Sequence, residues 1–91
     1  MSAVLRKRVV VRGRVQGVFF RDTTRRRASS RGVAGWACNR SDGAVEAVFE
    51  GSPDAVEELV RFVREGPRGA EVEDVQVIDE EPEGLGGFEI R

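Results

Sequence analysis

Ninety-one residues, 40% apolar and 34% charged, describe one globular domain over residues 1–91 and leave no room for a second. Histidine and tyrosine are absent and Cys38 is the lone cysteine, which excludes Ser-His and Cys-His nucleophilic systems, a histidine base, an internal disulfide and a cysteine-built zinc cage. The net charge of −1 hides a division, because residues 1–40 carry eleven Lys/Arg against Asp22 alone and residues 41–91 carry four Arg against fifteen acids. A half at +10 suits an anionic ligand, whether phosphate, nucleic acid or an acidic metabolite, or it neutralises the acidic half within the fold. Both readings stay open at this point.

The first element is a strand over Arg6–Arg12. Its Val9-Val10-Val11 triplet marks a strand buried on both faces, and no apolar run in the chain exceeds three residues, far short of a membrane span. Met1–Leu5 lacks the apolar core of a secretory signal, so the expected home is the cytoplasm. Gly13–Phe20, with two glycines four apart, reads as a loop in which Phe19 and Phe20 act as anchors. A helix is expected over 22–31, stopped by Gly32, with a thin apolar face of Thr24 and Ala28. Strands at 33–39 and 44–50 flank a Ser41-Asp42-Gly43 turn and form a hairpin. Val45, Ala47 and Phe49 share one face of the second of these strands, and Val48 takes the other.

Ser52-Pro53-Asp54 opens a helix, with Ser as cap, Pro in the first turn and an acid near the positive end. Val56, Leu59, Val60 and Val63 follow at i, i+3, i+4 and i+7, and Gly66-Pro67 ends the helix. A strand over 71–79, a Gly84–Gly87 loop and a short Phe88–Ile90 strand complete the chain. Trp36 and the five Phe are expected in the core or at sheet edges, and Glu80, Glu81 and Glu83 in a solvated connection. The order β-α-β-β-α-β with a short terminal strand predicts an α+β, ferredoxin-like open-faced sandwich, its two helices on one face of a mainly antiparallel sheet. That fold hosts many functions and selects none.

Two segments carry chemistry. In Gly13-Arg14-Val15-Gln16-Gly17-Val18-Phe19-Phe20-Arg21 the chain leaves a strand, turns through two glycines and enters a helix. Successive N–H groups of such a turn can converge on an anion, and the helix start adds free donors. Arg21 places a planar guanidinium there, suited to two phosphate oxygens. The Gly-Lys-Ser/Thr end of a Walker loop is missing. The alternative is an ordinary strand-to-helix loop with a solvated arginine. In the second segment, Gly35-Trp36-Ala37-Cys38-Asn39, the amide of Asn39 at a strand end can accept from a water and donate to an oxygen, or simply cap the turn.

Together the two segments resemble the acylphosphatase family. Gly-x-Val-Gln-Gly-Val-x-Phe-Arg at 13–21 looks like its phosphate loop, and Gly-Trp-x-x-Asn at 35–39, followed by Asp42-Gly43, like its second signature. Gly66-Pro67 and the closing Phe88-Glu89-Ile90-Arg91 also fall where the family has similar residues. The resemblance implies hydrolysis of an acyl phosphate to a carboxylate and inorganic phosphate, with neither metal nor cofactor. It implies phosphate binding by the amides of Val15, Gln16, Gly17, Val18, Phe19 and Phe20 with the Arg21 guanidinium, and a water positioned by Asn39. The expected partner is a small acyl phosphate, with no nucleic acid and no membrane, and the expected state is a monomer.

The chain departs from the pattern at Arg31, where an apolar residue is usual, and at Ala37-Cys38, where larger or basic residues precede the asparagine. Strand alternation points Cys38 and Asn39 to opposite faces, so Cys38 is expected to be a structural residue and not a nucleophile. Two other functions compete: a ferredoxin-like nucleic-acid-binding module, suggested by the basic half, and a non-catalytic accessory role, as in acylphosphatase-like domains of carbamoyl-transfer maturation proteins. The nucleic-acid reading lacks aromatic residues on strand 6–12 to stack bases.

Overall fold

The valine triplet decides the centre of the sheet. In the computed structural model, which describes residues 3–91, β1 (Leu5–Arg14) runs antiparallel to β3 (Val45–Gly51) on one side and to β4 (Glu71–Glu80) on the other. Val9, Val10 and Val11 are all buried, as a strand covered on both faces requires. β2 (Ala34–Asn39) pairs antiparallel with β3, and β5 (Phe88–Ile90) adds to the far edge parallel to β2. The strand order is β4-β1-β3-β2-β5. Helices α1 (Phe20–Ser30) and α2 (Pro53–Glu65) pack on the same face, and this is the ferredoxin-like sandwich expected from the element order. No helix among the described residues is long and apolar enough to cross a membrane.

The core lies between the helices and that face. Val9, Val11, Val45, Ala47 and Phe49 meet Val56, Leu59, Val60 and Val63 of α2, and Phe88 of β5 stacks on Phe49 with ring centroids 6.0 Å apart. Ser52 holds the cap position of α2, but its side chain makes no cap hydrogen bond, and Gly66 ends the helix with its N–H on the Phe62 carbonyl.

Several expectations are corrected. β1 does not stop at Arg12: after a bulge it continues through Gly13 and Arg14 against Glu71. A Cβ on Gly13 would collide with the Glu71 carbonyl oxygen, so glycine is what lets the two backbones meet. α1 begins at Phe20 rather than residue 22 and ends at Ser30 rather than Arg31. Phe20 is buried and does anchor the loop, whereas Phe19 is 79% exposed. Glu80 belongs to β4 rather than to the solvated connection.

The other face of the sheet bears no helix, and charge covers it. Arg6 and Glu50 are buried there as a pair; Arg6 also reaches Glu80 at 2.8 Å, and Arg8 pairs with Glu46 and Glu80. The Trp36 ring lies on this face, half-buried, between the guanidinia of Arg8 and Arg91 at 5.5 and 4.9 Å. Pairing runs mostly between the two halves of the sequence: Lys7 with Glu57 and Asp79, Arg12 with Asp42, Arg31 with Glu58. Neutralisation within the fold therefore accounts for most of the charge division. Among the described residues, Arg21 and Arg27 are the only basic side chains of the first half with no Asp or Glu partner.

Candidate active site

The loop between β1 and α1 is bent by Gly17, at φ 77°, and Phe19, at φ 58°. Both lie in the left-handed region, where a bulky side chain costs about 1–3 kcal/mol. No atom lies within 4 Å of where a Gly17 Cβ would stand, so this glycine is required by its backbone angle and not by space. Among the described residues, none of the chain's turn and cap hydrogen bonds is donated by the amides of residues 16–20. Unspent donors on a bent loop at a helix start form a natural anion cradle.

Gln16 sets the position of this loop. Its side-chain Nε2 donates to the Arg40 carbonyl at 2.8 Å and to the Ala44 carbonyl at 3.0 Å. The loop is thereby tied to the β2–β3 turn, one residue beyond Asn39. Asp42 holds that turn from within: its carboxylate accepts the Ala44 N–H at 3.1 Å and faces the guanidinia of Arg40 and Arg12. Those three contacts, the backbone donor first, hold its pKa down to about 2.

A cleft of about 250 Å³ opens between the loop, the start of α1, the end of β2 and β5. Val15, Gly17, Phe19, Phe20, Arg21 and Asn39 line it, so most of the expected site residues come together. Two do not enter it through their side chains: Gln16 is turned to the β2–β3 turn, and Val18 is half-buried against the core. Cys38, half-buried, does not line the cleft, in keeping with its place on the opposite face from Asn39.

Arg21 is half-buried and pairs with no Asp or Glu side chain; its Nη1 donates to the main-chain oxygen of Arg91 at 3.3 Å. That contact steadies the guanidinium at the edge of the cleft. Asp22 also lines the cleft, but Arg25 and Arg26 hold its two oxygens, each at 2.9 Å, so it is already spoken for. Ile90 and Asp22 escaped the sequence reading. The terminal Phe88–Arg91 stretch was the one available signal for Ile90, and only the parallel pairing of β5 with β2 brings it to the cleft.

Fold and site together define a small α+β sandwich in which a glycine-bent loop, an arginine at a helix start and a strand-end carboxamide line one cleft. The family model for acylphosphatase matches residues 7–90. The acylphosphatase of Rubrobacter xylanophilus is 61% identical over 88 residues, which cover 94% of this chain and 79% of that one. That of Haloarcula marismortui is 56% identical over 94% of both chains. The crystal structure of acylphosphatase from Bacillus subtilis superposes with a TM-score of 0.91 at 40% identity, covering 96% of this chain and 98% of that one. The chain belongs to the acylphosphatase family and is a hydrolase of that family.

Proposed function

We propose that this protein hydrolyses the carboxyl–phosphate bond of a small acyl phosphate, acting over residues 1–91 as one domain. The observation that carries the proposal is the meeting of a guanidinium that pairs with no Asp or Glu, Arg21, and a strand-end carboxamide, Asn39, in one cleft beside amides that serve no turn. In this reading the loop amides from Val15 to Phe20 and the Arg21 fork hold the phosphoryl oxygens. The Asn39 side chain accepts from a water and aims it at phosphorus. The water oxygen bonds to phosphorus as the bond from phosphorus to the bridging oxygen breaks, and the acyl group leaves as a carboxylate. One water proton passes to a phosphate oxygen, so an acyl phosphate dianion and water give a carboxylate and a phosphate monoanion.

The composition fits this chemistry. Phosphoryl transfer asks a protein for positioning and charge stabilisation more than for covalent partners. A carboxylate is a weakly basic leaving group, so a chain without histidine is not handicapped. The nucleic-acid reading is disfavoured by the pairing of most first-half cations, which leaves no continuous track for a polyanion. The protein is read as cytoplasmic, because its lone cysteine forms no internal disulfide, and as a monomer, the default for so small and polar a domain.

The test is the release of phosphate from benzoyl phosphate by the wild-type chain, with inorganic phosphate as inhibitor. Turnover with competitive inhibition by phosphate is expected. An inert, folded protein would remove the catalytic reading.

A further inference from the structure

The cleft has a neighbour. On the other side of Phe19 a groove of about 440 Å³ lies between α1 and the segment that ends α2. Val18, Phe19, Phe62 and Pro67 give it an apolar lining. Arg26, Arg27 and Arg68 line it as well, against a single acid, Glu65. Phe19 is the one residue among those described that lines both hollows, so a single ring forms the wall between them.

Three features of this groove call for an occupant. Phe19 leaves 79% of its surface in water and holds a left-handed backbone to do so, a costly way to place a large apolar side chain. The groove also holds two cations without an acidic partner. Arg26 is held by Asp22, but Arg27 and Arg68 have no carboxylate partner among the described residues, and the Arg27 guanidinium carbon lies over the Phe62 ring, 4.4 Å from its centroid. Finally, in-line displacement requires the leaving group to depart opposite the attacking water. Asn39, which aims that water in the reading above, lines the cleft and not the groove, and the groove opens beyond Phe19.

We propose that this groove is the acyl-arm subsite, and that it takes an aromatic or extended acyl group whose far end carries an anion. The proposal rests on the hydrolytic reading of the neighbouring cleft. The phosphoryl group sits in the loop, the acyl arm lies along the Phe19 ring over Val18 and Pro67, and its distal anion meets Arg27 and Arg68. Glu65 on the groove wall sets the limit of this preference, because it opposes an anion that strays towards the end of α2. A plain acetyl arm is too short to use the groove.

The test compares kcat/KM for 4-carboxybenzoyl phosphate and its neutral isostere 4-carbamoylbenzoyl phosphate, with acetyl phosphate as the short reference. The wild type should prefer the carboxylate by about fivefold, the ratio an exposed charge pair of ~1 kcal/mol gives. In Arg27→Gln/Arg68→Gln that ratio should fall to about one, and in Arg68→Glu it should fall below one. Phe19→Ala should reduce the preference for benzoyl over acetyl phosphate about threefold or more, as loss of an aromatic contact does. A wild type active on acetyl phosphate but indifferent to the distal carboxylate overturns the subsite alone. So does a carboxylate preference that survives in the double arginine variant, or a benzoyl preference unchanged in Phe19→Ala. A folded wild type inert on all three substrates overturns the hydrolytic reading and the subsite with it.

Discussion

The two helices lie side by side on one face of the sheet and are built on opposite plans. α2 buries Ala55, Val56, Leu59, Val60, Phe62 and Val63, a broad apolar stripe that joins it to β1 and β3. α1 buries only Phe20, Thr24 and Ala28 and shows arginine to the rest of its surroundings. Its start is held by Phe20 in the core, and its end by Gly32 and by the Val33 N–H donating to the Ala28 carbonyl at 2.8 Å. Thr24, buried within it, donates its hydroxyl back to the Phe20 carbonyl at 2.8 Å, so the narrow face carries no unsatisfied group. One helix holds the fold together; the other is a mount that carries Arg21 to the cleft. A helix with little packing can still place one side chain well if both its ends are fixed.

The largest effect should come from the mount. Arg21→Ala removes the only guanidinium that lines the cleft among the described residues and should lower kcat/KM for benzoyl phosphate by about a thousandfold, at or beyond the upper end for one lost oxyanion donor. Phosphate affinity should fall with it, while the thermal midpoint stays close to wild type. Leu59→Ala should do the reverse. It opens a cavity under α2 and should cost about 3 kcal/mol in denaturant unfolding, with phosphate affinity intact while the chain remains folded. If each variant instead loses both properties together, the division between the helices is wrong.

Asn39→Ala sharpens the division within the site. It should lower kcat by about a hundredfold and leave inhibition by phosphate nearly unchanged, because in the proposed mechanism the carboxamide serves the water and not the anion. A folded Asn39 variant with wild-type kcat would remove that role.

A smaller effect is expected on the sheet face that bears no helix. Burial pushes the Glu50 carboxyl up, but the N–H groups of Glu83, Leu85 and Gly84, each 2.8 Å from it, and the Arg6 guanidinium outweigh this and hold its pKa below the ordinary 4.5. Glu80 is held down by Arg8 and Arg6, and Asp42 to about 2. A carboxyl with a lowered folded pKa contributes stability above its unfolded value and loses that contribution as pH falls through the folded one. Stability should therefore decline from about pH 4.5 towards pH 2. Glu50→Gln should cost about 2 kcal/mol at neutral pH, and the difference from wild type should close at the acid end of that window, as thermal melts against pH would show. The apolar contacts of α2 carry no such dependence, because its buried residues do not titrate.

Much of this architecture was legible in the residues. The valine triplet announced a central strand, and the spacing of Val56, Leu59, Val60 and Val63 announced α2, because burial on both faces or on one stripe leaves a periodic trace. Arg21 and Asn39 were legible through the motifs around them. The rest depended on contacts between distant parts of the chain. Nothing local marks Phe19 as exposed: its neighbour Phe20 has the same chemistry, and the backbone angle at residue 19 decides which of the two rings turns outward. Glu50 reads as a surface acid until the 83–85 loop folds over it, and Ile90 enters the site only because β5 pairs parallel to β2. The groove beyond Phe19 joins residues some forty positions apart and leaves no periodic trace in the sequence.

The central claim is that the bent loop and Arg21 hold a phosphate facing Asn39. A titration of the ¹⁵N-labelled chain with inorganic phosphate tests it most directly. The backbone amides of residues 15–20 and the Arg21 Nε–H should shift together along one saturable curve, and the curve should be preserved in Asn39→Ala and lost in Arg21→Ala. Shifts confined to other arginines, or a loop that stays silent while phosphate inhibits, would contradict the account.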